Sequence, residues 1–349
     1  MKFDINNITR KNIKALKPYS TARDDFKGLA SVYLDANENP FTTEFNRYPD
    51  PKQNALKQAI SKLKQVDPQQ IILGNGSDEI IDLLIRAFCE PGIDNVIIPQ
   101  PTYGMYGVCA SINNIDVRQP SLTPNFEIDL AAIHECVNTQ SKIIFLCSPN
   151  NPSGNLLEDA KIKSLIQSFS GLVVVDEAYI DFAGSAGSLP LLSDYPNLVV
   201  LQTFSKAWGL AGLRLGVGYG SEKVIQVLSK IKPPYNINSV TQQKAIEAVN
   251  NWKQVHNWVD TLQKERKVLE IFFRQLSFVV NVHPSQSNFL LVRIENAKAC
   301  YRYLLTKGII IRDRSSAVHC ENCLRITVGT PTENKILIKA LNDYQNINT

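Results

Sequence analysis

Two stretches decide the fold: LVVVDEAY at residues 172–179 and LVVLQTFSK at residues 198–206. Each is a short run of Val and Leu without polar alternation, the pattern of a strand buried on both faces, and each ends in polar residues. Working outward, the same pattern recurs in DNVIIPQ (94–100), KIIFLCSPN (142–150) and RLGVGYG (214–220). Helix-like segments separate several of these runs. One covers 158–169; another covers 78–89, where Ile81, Leu84, Ile85 and Phe88 repeat at helical spacing. Alternating strand and helix predicts an α/β chain with a mostly parallel sheet. Ser77 is placed to cap the second of these helices, Asp78 and Glu79 suit its positive end, and Pro91-Gly92 stops it.

Further along, residues 239–276 read as almost wholly helical with a break near Asn250-Asn251, long enough to bridge two domains. NFLLVRI (288–294), a helix over 297–307 closed by Gly308, IIIRDR (309–314) and CLRITVG (323–329) then form a βαββ-like set, which predicts a small second sheet. A chain of 349 residues exceeds what one hydrophobic core usually supports. The expected organisation is an N-terminal arm over 1–30 that joins the small domain, a large domain over 31–238, and a small domain with its bridging helix over 239–349. AGSAGS (183–188) reads as a loop.

Composition excludes several classes. A hydrophobic share of 44% with 20% charged residues is ordinary for a globular protein. The net charge of +4 is spread without a basic block, which gives little reason to expect nucleic acid or membrane as a partner. The N-terminus lacks a signal-peptide pattern and no run reaches membrane-spanning length, so the expected location is the cytoplasm. Seven scattered cysteines read as reduced thiols. Cys320 and Cys323 form a C-x-x-C without a second ligand pair, so a loop leading into a strand is expected there and no metal.

In parallel α/β sheets ligands gather beyond the carboxyl ends of the strands. Those ends deliver Gly76-Ser77, Asn150-Asn151, Asp176 with Tyr179, and Ser205-Lys206. Singly, an Asp ending a strand is commonly a turn former and a Lys after Ser is commonly solvated. Together they share one explanation in pyridoxal phosphate, which forms a Schiff base with a lysine and needs an acid to keep its pyridine nitrogen protonated. Lys206 fits the first role and Asp176 the second. Tyr179 and Asn151 can both donate to the cofactor's phenolic oxygen. The helix start at Gly76-Ser77-Asp78, the Ser205 hydroxyl and the Arg214 guanidinium suit its phosphate. Gly209, Gly212, Gly216 and Gly218 suit, taken alone, either a close approach to a bound anion or a glycine-rich turn before a strand; beside Lys206 the approach to an anion is the expected role.

Over nearly the whole chain, a series of motifs resembles the fold-type I aminotransferases, and within them the histidinol-phosphate aminotransferase family. The motifs are KPYSTAR (17–23), LDANENP (34–40), RYPDP (47–51), GNGSDE (74–79), PTYGMY (101–106), SPNNPSG (148–154), VVVDEAY (173–179), TFSKAWGLAGLR (203–214), IIIRDR and CLRITVG. The resemblance implies a large domain with a seven-stranded, mostly parallel sheet, and catalysis by Lys206, Asp176 and Tyr179. It implies that Tyr103 stacks on the cofactor ring and that Tyr48 reaches the phosphate in the neighbouring subunit of a homodimer. Arg325 corresponds to the family's carboxylate-binding arginine. Histidinol phosphate presents a phosphate where an amino acid presents its carboxylate, so a second cation is expected, and Arg312 fits. Asn151 and Tyr19 are further implied substrate contacts, Tyr19 from an arm that also carries Arg23. Outside the resemblance, Tyr103 reads rather as a core aromatic, Tyr48 as a surface aromatic in a loop and the arginines as solvated. Ser153 and Trp208 are conservative departures from Thr and Phe.

The implied reaction is a ping-pong transamination between histidinol phosphate and 2-oxoglutarate, with Lys206 carrying the proton. Two alternatives keep the cofactor: an aromatic-amino-acid aminotransferase and a phospho-amino-acid decarboxylase. A third, from another class, is a pyridoxal-phosphate-dependent sensing module, for which an added DNA-binding domain is expected; only a short arm precedes KPYSTAR and no recognition-helix pattern is visible.

Overall fold

In the computed structural model, which describes residues 3–19, 22 and 30–348, the apolar runs become adjacent strands. The large sheet contains β1 (Ile71–Asn75), β2 (Asn95–Ile97), β3 (Asp116–Arg118), β4 (Ser141–Cys147), β5 (Leu172–Asp176), β6 (Leu198–Thr203) and β7 (Leu215–Gly220), in the order β1-β7-β6-β5-β4-β2-β3. β7 runs antiparallel to both β1 and β6; every other pairing is parallel. Burial on both faces explains the unbroken Val and Leu runs. Val173 and Val175 of β5 enter one core layer, and Leu172 and Val174 enter the other. The edge strand β3 is the one the apolar pattern does not announce, because Asp-Val-Arg there is half open to solvent.

The helix expected over 78–89 spans Ser77–Phe88, with Ile81, Leu84, Ile85 and Phe88 wholly buried. Its cap differs from the sequence expectation. Gly76 is the N-cap and makes no side-chain cap bond, while Ser77 is the first helical residue. The reason is local packing. A Cβ on Gly216 of β7 would lie 2.2 Å from the Ser77 nitrogen, so the helix start is pressed directly against that strand. Gly216 and Gly218 therefore make room for the helix rather than for an anion.

The second sheet is fully antiparallel: β8 (Val279–Val282), β9 (Phe289–Ile294), β10 (Arg312–Asp313) and β11 (Cys323–Thr327), ordered β10-β11-β9-β8. β8 lies beyond the βαββ reading, because Val-Val-Asn-Val is half exposed and carries no strong pattern. The long helical region divides at Asn251 into Ser239–Asn250 and Trp252–Phe273. The second helix buries Val255 and Val259 in the core of the large sheet, and Leu269 and Phe273 in that of the small one, so one element ties both layers. Ala297–Thr306 closes as expected, with Gly308 at φ +71.

One expectation is corrected. The described part of the N-terminal segment does not join the small sheet. Ile5 and Ile8 pack with Phe88 in the core of the large sheet, and Arg10 pairs with Glu90 at 3.3 Å. The apolar face of Ile5–Ile8 finds the helix Ser77–Phe88 first, and burying it there removes two isoleucines from water.

Candidate active site

At the carboxyl edge of the large sheet, strand ends from across its centre empty into one cavity. Gly76, Ser77, Asp78, Tyr103, Asp176, Tyr179, Ser205, Lys206 and Arg214 line it, as sequence reasoning expected; Cys147, Ala178 and Thr203 complete it. Parallel register produces the convergence. Asp176 pairs with Cys147 on β4 and with Leu201 on β6, so residues just past the ends of three neighbouring strands face the same space.

One end of the cavity is built for an anion. Gly76, at φ +75, turns the chain so that the first turn of Ser77–Phe88 presents backbone N–H groups without a capping side chain. The Gly76 N–H donates to the Arg214 carbonyl at 2.7 Å, which pins the two segments together. Arg214 Nη1 lies 3.5 Å from Ser205 Oγ, and Arg214 Nη2 lies 3.6 Å from Asp78 Oδ2. Tyr103 Oη donates to Asp78 Oδ1 at 3.1 Å. Asp78 thus holds an arginine and a phenol in place, and its helical N–H remains for the anion.

At the other end Asp176 is buried, and burial lifts its carboxyl to about 6. Tyr106 Oη donates to Asp176 Oδ2 at 2.7 Å and the Ala178 N–H donates to Oδ1 at 3.1 Å; both oppose that lift. Lys206 is shifted down from the ordinary amine range, first by burial and then by the Arg325 guanidinium, with Asp176 pulling it back. Its Nζ sits 5.6 Å from the centre of the Tyr179 ring. The Tyr179 phenol is pushed up, chiefly by burial, and so stays protonated. Asn151 Nδ2 lies 3.4 Å from Tyr179 Oη.

The arginines approach from the small sheet. Arg312 and Arg325 are direct partners across β10 and β11, and residues opposite one another in an antiparallel pair project from the same face. Arg325 Nη1 donates to Asn151 Oδ1, and its guanidinium lies 5.3 Å from the centre of the Phe289 ring. Phe289 in turn meets Tyr179 edge-on at 5.2 Å. Asn151 therefore links Arg325 of the small sheet to the phenol beside the amine. Arg312 is exposed.

Two sequence candidates lie elsewhere. Tyr48 is half exposed and stacks on Tyr235 with ring centres 4.4 Å apart. Tyr19 is 75% exposed and lines a different groove, with Pro51, Lys57, Lys230 and Lys232, so the single chain does not bring it to the Lys206 cavity. Arg23 lies outside the described residues. Conversely, Tyr106 escaped the sequence reading although PTYGMY places it one helical turn beyond Tyr103; a buried phenol needs a partner, and that requirement is the signal that could have found it. Among the described residues no cluster suits a metal ion, and Cys320 and Cys323 are both buried thiols.

The donor set fits pyridoxal phosphate: an acid for its ring nitrogen, a lysine of lowered basicity, two hydrogen-bond donors side by side, and a helix start with a serine and an arginine for its phosphate. The family model for aminotransferase class I and II matches residues 25–341. A relative from Bacteroides thetaiotaomicron, named histidinol-phosphate aminotransferase, is 52% identical over 342 residues, covering 98% of this chain and 99% of the relative. The crystal structure of histidinol-phosphate aminotransferase from Clostridium acetobutylicum superposes with a TM-score of 0.80 at 24% identity, covering 86% of this chain and 91% of that one. A second, from Sinorhizobium meliloti in complex with pyridoxal-5'-phosphate, gives 0.79 at 23%, covering 87% and 84%. At those identities the two structures speak to the fold.

Proposed function

The chain belongs to the class I and II aminotransferase family, and from that premise we propose that it is a pyridoxal-phosphate-dependent transaminase interconverting histidinol phosphate plus 2-oxoglutarate with imidazole acetol phosphate plus glutamate. The observation that carries the reading is the meeting of Asp176 and Lys206 in one cavity whose far end is an uncapped helix start with Ser205 and Arg214. When bound, the cofactor supplies an aldehyde carbon for an amine and a cationic ring that draws electrons from the substrate's carbon.

The chain's own residues do the rest. Lys206, held below its ordinary basicity by burial and Arg325, gives up its proton more readily than a solvated lysine and can carry a proton to and from the reacting carbon. Asp176 holds the ring nitrogen protonated through charge. Tyr179 and Asn151 donate to the phenolic oxygen. The N–H groups of Ser77 and Asp78, behind the turn at Gly76, would grip the phosphate with Ser205 and Arg214, and Tyr103 would cover a ring face. On the substrate side, Arg325 and Arg312 project from one face of the small sheet and form a paired cationic surface for a dianionic phosphate.

Tyr48 completes the phosphate site in a neighbouring subunit of a homodimer, and Tyr19 closes over substrate with the arm that carries it; the exposure of both residues in the single chain supports those roles. Among the described residues no helix is long and apolar enough to cross a membrane, and a cytoplasmic location suits the reaction.

The test uses purified protein loaded with pyridoxal phosphate and a panel of amino donors, read by glutamate formation and by the change in cofactor absorbance. Histidinol phosphate should be the best donor. Lys206→Ala should abolish both turnover and the visible band of the lysine-bound cofactor; keeping both would overturn the assignment. Arg312→Ala should raise KM for histidinol phosphate more than for phenylalanine, and equal effects would remove its phosphate role.

A further inference from the structure

Tyr106 is the side chain that touches the proposed chemistry from behind. It lies on the helix Met105–Ile112, is wholly buried, and stacks on Phe145 with ring centres 5.0 Å apart and planes 9° apart. Tyr103 meets it edge-on at 5.5 Å. Two aromatic contacts therefore fix the ring, and the ring aims one hydroxyl at one carboxylate oxygen: Tyr106 Oη to Asp176 Oδ2, 2.7 Å. Asp176 Oδ1 is held independently by the Ala178 N–H. A carboxylate offers about four acceptor positions, so these two bonds fix its plane and leave lone pairs for a third donor.

We propose that Tyr106 is a positioning residue for transamination, its buried hydroxyl holding Asp176 ionised and oriented toward the ring nitrogen of the cofactor. The inference rests on Asp176 facing that nitrogen. The physical argument is desolvation. A carboxylate taken out of water loses its charge unless donors replace the lost hydration. The groups around Asp176 are Tyr106 from the helix Met105–Ile112, Tyr103 just before that helix, Cys147 from the end of β4, Tyr179, Asp78 at the start of Ser77–Phe88, and Lys206 beyond β6. Asp78 opposes ionisation, Lys206 favours it, and Tyr106 is the largest of the favourable influences. Burial keeps the Tyr106 phenol far above its ordinary range, so it remains a donor throughout the working pH range. A donor that cannot titrate beside an acid that can is the arrangement that keeps a buried Asp charged.

The experiment compares Tyr106→Phe with the wild-type protein, both with pyridoxal phosphate and with its carbocyclic analogue bearing C–H in place of the ring nitrogen. Dissociation constants are read from absorbance or tryptophan quenching. Phe keeps the stacking on Phe145, and the unfolding temperature of the cofactor-free variant verifies the fold. Loss of a hydrogen bond to a buried charge should weaken pyridoxal phosphate roughly 10- to 100-fold. The analogue should bind both proteins alike, and the acidic limb of the kcat/KM profile should move to higher pH. Equal weakening of cofactor and analogue, or none of either, overturns the proposal. Infrared difference spectra of the cofactor-free proteins give a second reading: an Asp176 carboxyl band that titrates at the same pH in both also overturns it. Asp176→Asn separates the two levels. If it fails to weaken the cofactor more than the analogue, the role of Asp176 falls and that of Tyr106 with it; if it succeeds where Tyr106→Phe does not, only Tyr106 is removed.

Discussion

Asp176 and Glu177 stand next to each other at the end of β5, both 2% exposed and both lifted by burial, to about 6 and about 7. Their surroundings differ completely. Successive residues at a strand end point to opposite faces. Asp176 continues the side of Leu172 and Val174, where the helices Ser77–Phe88 and Met105–Ile112 lie, and opens into the cavity with Lys206. Glu177 continues the side of Val173 and Val175, and closes on itself: one oxygen accepts from the Ser188 N–H and the other from Gln202 Nε2 at 3.0 Å. One acid keeps lone pairs for a guest and the other uses its oxygens to tie down the 183–188 loop. A buried carboxylate is therefore no sign of catalysis by itself; what matters is whether its last partner is protein.

Four measurements break or sharpen that contrast. Asp176→Asn should lower kcat about 1,000-fold, roughly 4 kcal/mol of activation free energy, with little change in the unfolding temperature of the cofactor-free protein. A fall of under tenfold would make Asp176 structural, like its neighbour. Gly187→Ala should act the other way. Gly187 sits at φ +63, and a Cβ there would lie 2.4 Å from Glu177 Oε1, so stability should drop by roughly 3 kcal/mol while kcat of the folded fraction holds, as read by denaturant unfolding and steady-state assays.

The third measurement is stability against pH. Both acids have folded-state values above their ordinary 3.8 and 4.5, so between about pH 4 and 7 the folded state holds more protons than the unfolded one. Their stabilisation is present at the low end and is lost as pH rises through about 6 for Asp176 and about 7 for Glu177. The loss is on the order of 3 kcal/mol for each. Glu177→Gln should remove its share of the slope in urea titrations, whereas saturating pyridoxal phosphate should remove the share of Asp176, because a cationic ring nitrogen keeps that carboxylate ionised at lower pH. No change in slope on adding the cofactor would mean that Asp176 does not meet the ring. Last and smallest, Glu177→Gln should leave kcat/KM within about threefold, since an uncharged side chain can still accept from Ser188.

Much of this is legible in the sequence. The Val and Leu runs announced β4, β5, β6 and β7 because strands covered on both faces cannot tolerate polar alternation, and the polar residues at their ends named most of the cavity lining. The pairing of Arg312 with Arg325 was legible too. Weakly patterned edges were not: β3 and β8 are partly solvated and owe their existence to a neighbouring strand. Ser77 was misread as a cap because propensity favours Ser there, whereas the closeness of Gly216 puts Gly76 in that position.

By itself the sequence determined the order of the strands' chemistry, an acid on β5 and an amine after β6, because residue type and periodicity are local properties. It could not determine that Tyr106 stands behind Asp176, that Asn151 joins Arg325 to Tyr179, or that Tyr19 lies outside the Lys206 cavity in the single chain. Those relations join residues from separate elements, the first of them 70 positions apart in the chain. Only the packing of one layer on another fixes which donor reaches which acceptor, since contact across layers depends on register and helix placement that no local pattern encodes.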